Sequence, residues 1–346
     1  WTHNGSGTLN NPNLLHPVYT PGVGETGIVS LTFHVNAIVP CANASDVMQL
    51  TVQPSAIVTA GPADTICEGS DYMLSNSSAI NYVSLAWTKS GTGTFNDATT
   101  LHPVYTPSTA DIVAGSVTLT LTATGISPCT TVASSMTLKI SRQAIANAGL
   151  PGSTCQNEPY TVNGAATQFA ASVLWTAPGP GVLTNETTLT PTYTPAAGQT
   201  GTITLTLTAH SSAPCIDATS VRNLTIDPLP VAEAGSNAAI CQGYPYTISD
   251  ASAFNYSSVS WSTTGQGTLS NSNTLIPTYT PAPNETGIVT LTLNVAGTLT
   301  CGSDNAMDVM TISITPLPSV DAGLNATICA AGTHTMSAVQ SNCGSV

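Results

Sequence analysis

The chain has 346 residues with only four basic side chains (Lys89, Lys139, Arg142 and Arg222) against 17 acidic ones, for a formal net charge of -13. So few cations exclude nucleic acid or an anionic membrane surface as a partner. Charged residues make up 6% of the chain, about a quarter of ordinary usage, so solubility rests on Thr, Ser, Asn and Gly, as suits an exposed extracellular surface. No apolar run of about 18 residues predicts a membrane-spanning helix.

In chain order, the first predicted element is a Trp strand at Trp1, followed by a turn at Gly5 and Gly7, and then Tyr19 between two prolines. The same stretch returns at residues 87–107, 175–195 and 261–281. The Tyr always lies 18 positions after the Trp, and the Trp-to-Trp spacings are 86, 88 and 86. A period of this length can enclose its own small core, which predicts beads on a string rather than a stacked solenoid. The expected domains are 55–142, 143–229 and 230–317, with partial domains at 1–54 and 318–346. The first partial domain lacks two opening strands and the last supplies only those two. Two explanations are open: a window on a longer array, or completion of the head of one copy by the tail of another.

Within one period the predicted strands are a broken first strand (56–61 and 64–67), a second around Tyr72, a third through Trp87, short pieces beyond Gly93 and at Tyr105, a long strand from Gly115 to Ala123 and a last strand from Ser135 to Ile140. About seven short strands with frequent turn signals predict an all-β sandwich. The long strand alternates clearly, with Val117, Leu119 and Leu121 inward and Thr outward, and the other copies repeat it. Period two of this kind predicts one buried face. No helical periodicity is visible. The last strand places Met48, Met136, Arg222 and Met310 at equivalent inward positions. Arg222 is expected to pack its stem at the rim with the guanidinium in water, or else to meet a carboxylate of a neighbouring domain.

The cysteines form two series. Cys67, Cys155, Cys241 and Cys329 precede a turn, while Cys41, Cys129, Cys215 and Cys301 follow the long strand. Periodic cysteines in small all-β units predict disulfides and an oxidising compartment. The two series belong at opposite ends of a sandwich, roughly 25 Å apart across strands of about eight residues, whereas bridged Cα atoms lie within about 7 Å. Interdomain pairs of the Cys67–Cys215 and Cys155–Cys301 type are therefore open alongside intradomain pairs such as Cys67–Cys129, which a kinked first strand would allow. Cys343 belongs to neither series.

Catalytic signals are absent from the pattern. The six histidines share no offset beyond His16 and His102, no acidic residue recurs in every copy, and no Ser lies in a nucleophile elbow. The expectation is no enzyme, no cofactor and no metal. Trp1, Trp87, Trp175 and Trp261 are expected to be core residues rather than sugar-stacking platforms, and Tyr19, Tyr105, Tyr193 and Tyr279 to be packing residues.

Ala-x-Ala-Gly at 146–149 or 232–235, a Cys and turn, the Trp strand, Pro-Thr-Tyr-Thr-Pro, then Gly-x-Val-x-Leu-Thr-Leu-Thr and a second Cys together resemble the PKD-like immunoglobulin-type domain. More narrowly, they resemble its tandem copies in very large surface proteins of Bacteroidota, of the gliding and adhesion kind exported by the type IX route. The usual Gly-Asp-Gly after the Trp is replaced by Gly5-Ser6-Gly7, Gly91-Thr92-Gly93, Gly179-Pro180-Gly181 and Gly265-Gln266-Gly267, so the turn loses its carboxylate. The resemblance implies short O-glycosylation signals such as Asp64-Thr65-Ile66. Asn-x-Ser/Thr, as at Asn43, Asn185 and Asn284, is uninformative in so polar a chain. The expected function is a stiff extracellular stalk or filament at a bacterial surface, with copies of itself or further repeats as partners, and surface glycans or proteins as possible ligands. The second class is an accessory carbohydrate- or protein-binding module of a secreted enzyme.

Overall fold

The computed structural model describes residues 1–342 and is nearly all β, with 34 strands, one short α-helix and one 3-10 turn among the described residues. No helix is long and apolar enough to cross a membrane. The chain divides into two compact units. The first comprises Trp1–Ala146 with Thr167–Ser172 and Ala209–Ala218, and the second comprises Asn147–Ala166, Val173–Thr208 and Thr219–Val346.

In the first unit, Tyr82–Lys89, Ser116–Gly125 and Val132–Ser141 form an antiparallel sheet, and Asp64–Cys67 adds to its edge in parallel. A smaller sheet holds Thr94–Phe95, Val104–Thr106 and Tyr72–Met73. Between them lie Trp87, Tyr105, Leu119, Leu121 and Leu138, all buried. Each fully buried leucine contributes about 1.5–3 kcal/mol. The alternation read from sequence is what assembles this core, since Thr at every second position turns outward. The second unit repeats the arrangement with Tyr256–Thr263, Gly287–Gly297, Asn305–Thr315 and a parallel Ala238–Cys241 around Trp261, Tyr279, Leu291 and Leu293.

The opening strand changes sheets. Ile57–Thr59 pairs with Ser78–Ile80, and Asp64–Cys67 then joins the other sheet. Gly61 makes the crossing at φ 95°, and its counterpart Gly235 does so at φ 89°. That left-handed backbone favours glycine.

Two expectations need correction. A helix, Thr109–Ala114, stands where no helical period is visible. It is a single capped turn and a half: Ser108 accepts from the Asp111 N–H, Asp111 accepts from the Ser108 N–H, and Gly115 closes the helix in the αL region. Capping chemistry rather than periodicity forms it. Met48 was expected inward, yet it is 48% exposed, whereas Met136 is 4% and Met310 0% exposed. Its strand, Ala44–Val52, pairs with Gly27–Val35 alone in a three-stranded sheet, without the parallel edge strand that covers the other copies.

Candidate functional site: tyrosine clamps and cysteine staples

Each copy bonds its Tyr hydroxyl to a side chain six residues further on, and in three copies that side chain also closes the Gly-x-Gly turn. Asp111 accepts from the backbone N–H groups of Thr92 (3.0 Å), Gly93 (2.8 Å) and Ser108 (2.9 Å) and from the Tyr105 hydroxyl (2.8 Å). Glu25 accepts from Ser6 N–H, Gly22 N–H and the Tyr19 hydroxyl. Glu285 does the same with Gln266, Ala282 and Tyr279. In the remaining copy Gln199 accepts from Ala196 N–H at 2.9 Å and bonds the Tyr193 hydroxyl without a bond to the turn backbone. The turn therefore does have a carboxylate in three copies, supplied by another segment. The sequence reading missed it because the position alternates among Glu, Asp and Gln, although alignment on the Tyr would reveal the shared acceptor. The second Gly of each turn is required, since a Cβ at Gly7, Gly93, Gly181 or Gly267 would run into the Tyr hydroxyl.

Burial pushes the Asp111 carboxyl up, but the Ser108 N–H, the Tyr105 hydroxyl and the Thr92 N–H together outweigh it and hold the group at about 2. Glu285 is likewise held below the usual carboxylate range: burial raises it, and the N–H groups of Ala282 and Gln266 win. Burial and the Asp111 partner push Tyr105 up in turn. These groups are structural acceptors with lowered rather than raised carboxyl pKa values, the opposite of a general acid's tuning. Trp87, Trp175 and Trp261 are 4%, 1% and 6% exposed, and Trp1 is half-buried. The buried rings face the sandwich interior, out of reach of a sugar.

The cysteines define the second feature. Cys67 is bonded to Cys215 and Cys155 to Cys301, each with a Cα–Cα distance of 4.9 Å. The intradomain alternative Cys67–Cys129 is not formed. Of the other disulfide candidates, Cys41, Cys129, Cys241 and Cys329 are free thiols; Cys343 lies outside the described residues. In both bonds the first cysteine ends the parallel edge strand, opposite Ser141 or Asp227. The second cysteine's Sγ lies 3.4 Å from the carbonyl oxygen of that same residue. The following residue then ties the junction. Glu68 N–H donates to Ser141 O (2.8 Å) and Glu68 Oε1 accepts from Gln143 N–H (2.8 Å). Gln156 repeats this with Asp227 O (2.8 Å) and Leu229 N–H (3.2 Å). Sequence reasoning passed over these residues, though Glu or Gln directly after the first cysteine recurs in three copies. Loops of 148 and 146 residues correspond to about 5 kcal/mol each in the chain-entropy treatment.

Arg222 also departs from expectation. It is 4% exposed, its Nη1 donates to Ala148 O (3.2 Å) and Asn163 O (2.9 Å), and its Nη2 donates to the Tyr160 hydroxyl (2.6 Å). The guanidinium is buried beside the edge-strand turn and bonds neutral oxygens instead of solvent or a carboxylate. Arg142, in contrast, lies 3.7 Å from Glu68 and 3.6 Å over the Phe169 ring.

Cys155, Cys301 and Asp304 are close enough together to suggest a metal site, but the two sulfurs are bonded to each other, which leaves one carboxylate. No family model matches the chain, and no curated protein matches it. Among solved structures, a three-domain I-band fragment of titin aligns at 12% identity and a TM-score of 0.49, covering 75% of this chain and 99% of that one. Mouse cadherin-23 extracellular domains 22–24 align at 11% identity and 0.42, covering 76% and 99%. A protocadherin gammaB7 cis-dimer structure aligns at 11% identity and 0.41, covering 83% and 84%. The chain is nearly all β, built from paired sheets that recur along the sequence.

Proposed function

We propose that the chain is a stiff spacer segment of an extracellular stalk or filament, built from repeats bounded at 55–142, 143–229 and 230–317 with partial repeats at 1–54 and 318–346. The observation that carries this reading is the pair of disulfides, whose cysteines belong to successive repeats of that division. Each bond is reinforced by the Glu or Gln clamp on the junction backbone. A junction fixed by a covalent bond and by backbone hydrogen bonds resists bending far more than the linker alone. Disulfides belong to an oxidising compartment, which supports an extracellular location. The motif resemblance supports a bacterial surface protein of the Bacteroidota gliding or adhesion kind. Trp side chains turned into the cores weigh against the carbohydrate-module alternative.

Electron micrographs of single particles test the reading. Oxidised protein should give a narrow distribution of end-to-end lengths, which broadens in Cys67→Ser/Cys155→Ser protein. Equally broad distributions in both would contradict it.

A further inference from the structure

The copy around Trp175 carries a buried cation where the copies around Trp87 and Trp261 carry methionine. By register with the parallel edge strand, Arg222 stands in the place of Met136 and Met310, so the core itself does not need a charge there. In the copy around Trp87, the edge-strand residue paired with Leu138 is Asp64, whose Oδ2 accepts from the Tyr72 hydroxyl at 3.1 Å. The same position in the copy around Trp175, paired with Leu224, is Gly152. A Cβ at Gly152 would run into the Tyr160 hydroxyl, so no carboxylate can stand there with the Tyr in place. One copy thus holds a negative charge beside its Tyr, and the other holds a positive one.

That positive charge has no partner of opposite sign. Arg222 is 4% exposed, and three of its N–H donors reach neutral oxygens, at Ala148 O, Asn163 O and the Tyr160 hydroxyl. A guanidinium has five donors, and the two left over are Nε–H, which is unpartnered, and the second N–H of Nη2. Among the described residues, no carboxylate pairs with Arg222. The side chain lines a cavity of about 500 Å³ with Tyr160, Asn147, Asn163, Gly149 and Pro151, and no acidic residue lines it. A cavity of that volume takes a small molecule. Asn147 Oδ1 accepts from Gly149 N–H at 2.9 Å, which leaves the amide nitrogen of Asn147 free to donate. A buried cation without a counter-charge is costly, and an anion held in this cavity would offset that cost.

We propose that this cavity binds a small carboxylate-bearing molecule of the size of a sugar acid, with Arg222 as the residue that recognises it. The ligand carboxylate takes the two unused donors, which sit on neighbouring nitrogens, as a guanidinium takes two oxygens at once. It supplies the counter-charge that Asp64 would provide in the other copy and that Gly152 does not. Ring hydroxyls meet the side-chain amides of Asn147 and Asn163, and Pro151 gives an apolar wall. Recognition runs through charge rather than through aromatic stacking, so it is compatible with Trp175 buried in the core. Met136 and Met310 offer no such donors, so the chain has one site of this kind among the described residues. The site goes beyond the stalk reading and does not depend on it.

Isothermal titration calorimetry of the 346-residue chain with glucuronate tests the site, with uncharged glucuronamide and inorganic phosphate as comparison probes. The expected result is one glucuronate per chain, with glucuronamide and phosphate both bound more weakly. Arg222→Met should weaken glucuronate binding by about 100-fold, the loss expected on truncating one partner of a buried charge pair. Its circular dichroism spectrum should match the parent's, because methionine fills the same place in two other copies. Arg222→Lys, which keeps the charge without the planar fork, should weaken binding by about tenfold. A parent chain that does not bind glucuronate would overturn the proposal, as would undiminished binding by Arg222→Met. Glucuronamide or phosphate bound as tightly as glucuronate would overturn the carboxylate assignment.

Discussion

The copies around Trp87 and Trp175 share one strand plan but differ at the Tyr clamp and on the last strand, and the contrast separates what the fold requires from what it tolerates. At the clamp, Asp111 in the first stands where Gln199 stands in the second. On the last strand, Met136 stands where Arg222 stands. An anion and an amide both hold the Tyr hydroxyl, so an acceptor of the right reach is needed rather than a charge. A thioether and a guanidinium both fill the rim, provided the guanidinium finds oxygens to donate to. The lesson is that geometry is shared and electrostatics are not.

The largest expected effect is at the clamp. Asp111→Ala strands three backbone N–H groups and the Tyr105 hydroxyl in a site that is 3% exposed, and should cost about 3–5 kcal/mol. Gln199→Ala removes fewer bonds and should cost about 1–2 kcal/mol. Urea denaturation of the two variants checks this, and equal losses would erase the contrast.

Acid should separate the clamps next. The folded Asp111 carboxyl sits at about 2, below an unfolded value of about 3.9. Its contribution, about 2 kcal/mol, is complete above the unfolded value and is lost as pH falls from there through 2. Gln199 does not titrate. Hydrogen exchange at Gly93 and Ala196 across pH 5 to 2 follows each clamp separately, with protection falling first at Gly93.

The smallest effect concerns Arg222. Its guanidinium is desolvated with Nε unpartnered and no carboxylate among its bonds, so Arg222→Met, which restores the residue type at Met136 and Met310, should raise stability by about 1 kcal/mol. A loss of that size in the urea midpoint would show that the three hydrogen bonds outweigh the buried charge.

The same contrast explains what was legible beforehand. Trp and Tyr repeat because each must fill one shape, and the Leu and Thr of the long strand repeat because burial alternates; those identities exposed the sandwich. The clamp acceptor varies among Glu25, Asp111, Gln199 and Glu285 because several side chains meet one hydrogen-bonding demand, so a search for an invariant acid passed over it. Helix Thr109–Ala114 is too short to carry a period and exists through Ser108 and Asp111. Arg222 reads as a surface residue because its partners, Ala148 O and Asn163 O, are backbone atoms that no side-chain pattern announces.

The central claim is that the repeats are stapled to one another and not each to itself. Mass spectrometry of a non-reduced proteolytic digest tests it most directly. The account predicts cross-linked peptides that join Cys67 to Cys215 and Cys155 to Cys301, as in the structure. Recovery of Cys67 linked to Cys129, or of Cys155 linked to Cys215, would contradict it.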